Sequence, residues 1–282
     1  MSYKTLLALH AGDDPPSHLA PVAALARAYG AHVDVRVLNL VTPIPTMTYI
    51  QDPKVESHES YRYILEETEK VGSEVRRFLE AEKIGHHVTA EAQPPGLIGR
   101  SAAKAALYAD LVVLSGTSSS LVSGLMGYAL EGALFDAGKP VLVLGEGDVQ
   151  GDDMPIVSPS DVMIAWDGGR EAARAVQQSL PILKAASVVR AMIIEEGEDR
   201  ELETSVEALG PYLLRHGVDI LIERVAPAGQ FISHALVEQV TKCRPDLLVM
   251  GAYGHSRLRE RLFAGATRAA LNDLSRPLFL AH

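Results

Sequence analysis

Arg244-Pro245-Asp246-Leu247-Leu248-Val249-Met250-Gly251 is an apolar run entered through Pro-Asp and closed by glycine. Its length and content suit a strand buried on both faces. Tyr108-Ala109-Asp110-Leu111-Val112-Val113-Leu114 repeats it in the first half of the chain. A second pair of landmarks follows: Gly138-Lys139-Pro140-Val141-Leu142-Val143 matches Ser275-Arg276-Pro277-Leu278-Phe279-Leu280. The chain therefore reads as a duplication of one unit roughly 140 residues long, not as a short-period solenoid.

Around these landmarks apolar runs alternate with helical periodicity. The first half predicts strands at Tyr3–Leu9, His32–Val41, His86–Ala92, Leu111–Leu114 and Pro140–Leu144. Helices are expected over Pro16–Tyr29, Ser60–Glu82, Leu97–Tyr108 and Leu125–Phe135, and a loop over Val41–Val55. The second half predicts strands at Val162–Trp166, Ser187–Ile194, Val218–Val225, Leu247–Met250 and Pro277–Leu280. Its helices are expected over Glu171–Leu183, Glu201–His216, Gln230–Cys243 and Ala266–Leu274. Strands alternating with helices imply right-handed crossovers and a parallel sheet. The fold class is α/β: two tandem open-sheet domains, each a five-stranded parallel sheet flanked by helices, Rossmann-like. The Gly-, Asp- and Pro-rich stretch Gly145–Pro159 lacks periodicity. Domains are expected at 1–147 and 160–282, joined by a linker at 148–159.

Among 282 residues, 47% are hydrophobic and 5% aromatic, so packed cores of small aliphatic side chains are expected. A formal charge of −10 argues against nonspecific nucleic-acid binding and against adhesion to anionic membranes. One cysteine, Cys243, allows no internal disulfide. No run of about 18 apolar residues and no leader pattern is evident, so a cytoplasmic protein is expected. His86 and His87 point to opposite faces of a strand, and no zinc constellation is expected. No Gly-x-Ser-x-Gly elbow and no Gly-x4-Gly-Lys-(Ser/Thr) loop occurs, which disfavours a serine hydrolase and a P-loop ATPase.

A strand that ends in glycines and leads to a helix start suits anions, because helix N-terminal N–H groups and the dipole favour phosphate. Met250, Gly251 and Gly254 end the strand. His255 to Phe263 follow, with Arg257, Arg259 and Arg261 among them, then Ala264, Gly265, Ala266 and Thr267. In open parallel sheets ligands sit beyond the carboxyl ends of strands, near the switch in strand order.

The chain resembles a tandem universal stress protein. That family's phosphate motif is Gly-x2-Gly-x9-Gly-(Ser, Thr or Gly). Gly251 and Gly254 match it, nine residues follow, and Ala264-Gly265 stand where Gly-Ser would. Trp166-Asp167-Gly168-Gly169-Arg170-Glu171-Ala172 resembles the acidic loop after the family's first strand. The resemblance covers both halves, but its diagnostic residues lie in the second. It implies an adenine nucleotide alpha hydrolase-like fold. It also implies a cytoplasmic regulatory protein of stress adaptation that binds ATP, or ADP or AMP, with or without Mg²⁺. Asp167 would contact the ribose or adenine, or instead cap the helix that follows. Ile193 and Ile194 would flank the adenine, or simply serve the core. Thr267 would donate to phosphate or bond within its own helical turn. Among the arginines at most one direct contact is expected, and His255 is either solvated or in contact. Ala264 and Gly265 depart from the motif and weaken the expected affinity.

No catalytic residue is assigned; a slow ATPase and a ligand-free scaffold stand as alternatives. The last strand of each half, Pro140–Leu144 and Pro277–Leu280, is an edge candidate for pairing within the chain or in a homodimer. Aligning Asp110 with Asp246 places Ser115 and Ser118 at the two glycine positions and His10 at Asp167. The first half is therefore expected to bind nucleotide weakly or not at all. Its Ser115–Ser120 run could hold another small anion.

Overall fold

The computed structural model describes residues 2–41, 53–115, 120–121, 124–149, 155–195, 200–252, 266–273 and 276–282. Ten strands among them form one sheet. Those of the first half are β1 (Thr5–Ala11), β2 (His32–Leu40), β3 (His86–Gln93), β4 (Leu111–Ser115) and β5 (Val141–Leu144). Those of the second are β6 (Asp161–Ala165), β7 (Val188–Ile194), β8 (Leu221–Val225), β9 (Leu247–Gly251) and β10 (Leu278–Ala281). Their order is β3-β2-β1-β4-β5-β10-β9-β6-β7-β8. Each half thus repeats one strand order, and every neighbouring pair is parallel except β5 with β10.

Asp110 and Asp246 explain why the opening landmark is repeated. The Asp110 carboxylate accepts hydrogen bonds from the N–H groups of Lys4 (2.6 Å) and Thr5 (3.0 Å). Asp246 accepts from Ser160 (2.7 Å) and Asp161 (3.2 Å). Each carboxylate ties the start of a half's first strand to the start of its fourth.

The antiparallel join pairs Leu142 with Phe279, Val143 with Leu278, and Val141 with Leu280. Leu142 and Phe279 are equivalent positions of the repeat, so a pseudo-two-fold axis passes between them. The two candidate edges therefore cover each other within one chain. Pairing removes the exposed N–H and C=O groups that would otherwise recruit another strand.

Helices α1 (Ala20–Tyr29), α2 (Pro53–Ala81), α3 (Pro95–Ala106) and α4 (Leu125–Glu131) belong to the first half. Helices α5 (Arg170–Leu183), α6 (Arg200–Arg215), α7 (Ile232–Cys243) and α8 (Ala266–Asp273) belong to the second. The sheet separates two apolar cores. One lies under α1, α2, α5 and α6, the other under α3, α4, α7 and α8. Both run across the two halves. Tyr3 also donates its hydroxyl to the Gln178 carbonyl (2.7 Å), linking the first strand's approach to α5.

Several boundaries differ from expectation. α2 begins at Pro53 rather than Ser60, because proline is favoured in a helix's first turn. The other two prolines of the expected loop, Pro43 and Pro45, lie outside the described residues. α1 is preceded by a 3₁₀ turn, Pro16–Leu19, and α4 runs on into a π turn, Gly132–Asp136. β8 starts at Leu221; Val218, expected in it, is buried in the turn after α6, where its N–H donates to the Leu213 carbonyl (3.0 Å). Within 145–159, Glu146–Val149 is a 3₁₀ turn and Ile156 is buried in the shared core. No helix among the described residues is long and apolar enough to cross a membrane.

Candidate functional site

In the second half, β6 lies between β7 and β9. The chain leaves β6 through α5 towards β7, whereas β9 lies on the other side. Strand order therefore reverses at β6, and at such a point in an open parallel sheet ligands bind beyond the carboxyl ends of the strands, here those of β6 and β9. Register places Ala165 beside Met192 and Met250. The next residues outward, Trp166, Asp167, Ile193, Ile194 and Gly251, lie at this end of the sheet.

Asp167 lies in the turn between β6 and α5 and is exposed. Its Oδ1 accepts the Gly169 N–H at 2.8 Å. Gly168 has φ +74°, the left-handed region that favours glycine. The turn thus forms from its own sequence, Asp-Gly-Gly, and sets the carboxylate at the mouth of α5. Trp166, one residue earlier, points to the opposite face and donates its indole N–H to the Ser205 hydroxyl (3.1 Å) on α6.

Gly251 closes β9 against the first turn of α5. A Cβ there would lie 2.5 Å from the Ala172 nitrogen and 2.7 Å from the Glu171 carbonyl carbon. The glycine therefore permits close packing of strand and helix. Beside it Glu171 is only 7% exposed. Burial opposes its charge, but hydrogen bonds from Arg170 and from backbone outweigh it, and its carboxyl stays below the ordinary range. A carboxylate in the first turn also suits the helix dipole.

Ile194, Met250 and Ala266 share the core on the α7 and α8 side, with Ala252 beside them. Ile193 points the other way, into the core under α5 and α6. Strand alternation separates the two isoleucines. Thr267, in the first turn of α8, is 3% exposed. Gly254, His255, Arg257, Ala264 and Gly265 lie outside the described residues, as do Arg259 and Arg261.

Two residues at this end of the sheet escape sequence reasoning. Ala252 is fully buried; its N–H donates to the Ala281 carbonyl (2.8 Å), and its carbonyl accepts from His282 Nδ1 (2.9 Å). Glu195 follows Ile194. Its Oε1 accepts from Arg224, while its Oε2 is buried without a hydrogen-bond partner. The only sequence signal is a carboxylate directly after an apolar strand.

Register corrects the first-half counterpart of Asp167. Leu6 pairs with Leu111, and Val162 with the equivalent Leu247. Counting onward, His10 matches Trp166, and Ala11 matches Asp167. The offset arises because only the paired strands, not the loops, define equivalence. His10 accordingly points into the core under α1 and α2. It is 1% exposed; its Nε2–H donates to the Asp14 carbonyl (3.1 Å), and Nδ1 has no partner. Burial pushes its pKa down to about 4. A depressed histidine pKa means that the unfolded chain binds the proton first. Stability is intact above about pH 6.5 and is lost as pH falls towards 4. Between pH 7 and pH 5 the loss from this group is about 2 kcal/mol. Urea denaturation at both values is expected to show it in the wild type and not in His10→Leu.

No family model and no curated protein sequence matches the chain. Solved structures do. A universal stress protein from Archaeoglobus fulgidus DSM 4304 superposes with a TM-score of 0.66 at 16% identity, over 98% of this chain and 95% of that one. A Pseudomonas aeruginosa UCBPP-PA14 protein assigned to the same family gives 0.60 at 13% identity, over 99% and 93%. A functionally unknown protein from Pseudomonas aeruginosa PAO1 gives 0.58 at 13% identity, over 99% and 92%. These matches run through both halves and the join between them, and so the chain has the fold of a tandem universal stress protein.

Proposed function

We propose that the second half binds an adenine nucleotide, ATP in the first instance, and that the protein is a cytoplasmic regulator of stress adaptation. One observation supports this above the others. The Asp167 turn follows β6 and a glycine ends the neighbouring β9, which leads on in the chain to α8, so acidic turn and glycine-ended strand lie at the same end of the sheet. Asp167 offers an acceptor for ribose hydroxyls. Ile194, Met250 and Ala266 offer an apolar wall for the base. The first N–H groups of α8, with the Thr267 hydroxyl, suit phosphate oxygens. Gly254, His255, Arg257, Ala264 and Gly265, with Ile193 behind the wall, complete the proposed set. A regulatory role follows if nucleotide binds one of two states of the protein better than the other, since only differential affinity shifts a population.

Calorimetric titration of the full chain with ATP is expected to give saturable heat; none at millimolar ATP removes the reading. Asp167→Asn keeps an acceptor for the Gly169 N–H and so spares the turn. It is expected to weaken ATP binding about tenfold, the loss of roughly 1.4 kcal/mol at a charged acceptor. Unchanged affinity in that variant would leave Asp167 with the turn alone.

A further inference from the structure

A cavity of about 380 Å³ lies between α5 and α6, on the opposite face of the sheet from Ile194 and Met250, with Gly168 of the Asp167 turn in its lining. That volume falls within the range of small-molecule pockets, roughly 300–1,000 Å³. Its floor is the Trp166 indole, held by the Ser205 hydroxyl. Ala173 and Val176 form the α5 wall, and Ser205, Ala208, Leu209 and Tyr212 the α6 wall. In the first half the 3₁₀ turn Pro16–Leu19 packs on α2 more closely than α5 packs on α6 among the described residues. Counting back from β3 and β8, Val71 on α2 corresponds to Ser205 on α6, so a valine in one half is replaced by a smaller serine in the other.

The walls are mostly apolar, with Gln177 and Ser205 as the neutral polar side chains, and one end is cationic. Arg215, in the last turn of α6, lines the cavity and makes no ion pair among the described residues. Trp166 and Ser205 mark the other end, which carries no charged side chain in the lining. From Ser205 to Arg215 the helix advances roughly 15 Å. An occupant of that length with one anionic end would lay its apolar body along Leu209 and Tyr212, with its head at Arg215.

We propose that this cavity is a second ligand site, for an amphipathic monocarboxylate with an alkyl body of about ten carbons. The carboxylate meets the Arg215 guanidinium, the pairing that planar geometry favours. The alkyl body displaces water from Trp166, Leu209 and Tyr212. The site does not depend on nucleotide, and the assay contains none.

Trp166 is the single tryptophan of the chain, so intrinsic fluorescence reports directly on the floor. Titration of the full chain with sodium decanoate is expected to give a saturable change with its midpoint below about 1 mM. Ala208→Phe fills the cavity from an exposed position and is expected to abolish the response, and Ala208→Leu to weaken it. Arg215→Met keeps the stem and removes the charge. It is expected to raise the decanoate midpoint at least about tenfold and leave the response to decanol unchanged. Circular dichroism matched to the wild type certifies the fold of each variant. An unsaturable response, or a saturable one that Ala208→Phe and Ala208→Leu both leave intact, overturns the site. Equal decanoate midpoints in wild type and Arg215→Met overturn the assignment of a carboxylate.

Discussion

Gly251→Val is expected to destabilise the second half by upward of ~3 kcal/mol, beyond the ordinary cost of overpacking. The reason lies in what the new side chain meets. Its Cβ would stand 2.5 Å from the Ala172 nitrogen, and that neighbour is helix backbone, which cannot rotate away. Either β9 or the first turn of α5 must move. Moving α5 also moves the Asp167 turn, so nucleotide affinity and stability are expected to fall together. Thermal denaturation checks the first and calorimetry with ATP the second. A variant as stable as the wild type would show that α5 shifts freely, and would return Gly251 to a role in ligand contact alone. Ser115 stands at the equivalent first-half position, where the chain after β1 enters the 3₁₀ turn Pro16–Leu19 before α1.

Phe279→Ala is expected to cost about 3–5 kcal/mol, the usual range for a fully buried phenylalanine. Phe279 is 0% exposed and sits opposite Leu142 at the pseudo-two-fold axis. Its ring belongs to the core that runs under both halves. The loss should therefore appear in one transition that shifts as a whole, followed by Trp166 fluorescence and by circular dichroism. Two separate transitions, with only one displaced, would show that the halves unfold independently despite the continuous sheet.

Much of the architecture was legible in local pattern. Apolar runs of strand length and helical periodicity mark the elements, and the Pro-Asp landmark marks the repeat. Asp110 and Asp246 were readable as equivalents because each performs the same hydrogen bonding at a fixed distance from its strand. Element ends were less legible. Pro53 reads as a loop residue, yet it opens a 29-residue helix. The candidate site was readable to the extent that it follows strand ends: Asp167, Met250 and Gly251 all close or follow strands. The opposed directions of Ile193 and Ile194 follow from alternation, but which face each meets requires the helices to be in place. Glu195 carried almost no signal, because an acidic residue after a strand is usually solvated; only burial of its Oε2 distinguishes it.

By itself the sequence determined a duplicated α/β chain, its strands and helices in order, and a glycine-ended strand paired with an acidic turn. These are properties of composition and short-range spacing, which survive without knowledge of neighbours. Tertiary structure alone decided that β5 and β10 join the halves into one sheet, that His10 matches Trp166 rather than Asp167, that Gly251 is required by the backbone of α5, and that a cavity lies between α5 and α6. Each depends on how closely elements distant in the chain approach, and that distance is set by packed volume and strand register, which no local pattern encodes.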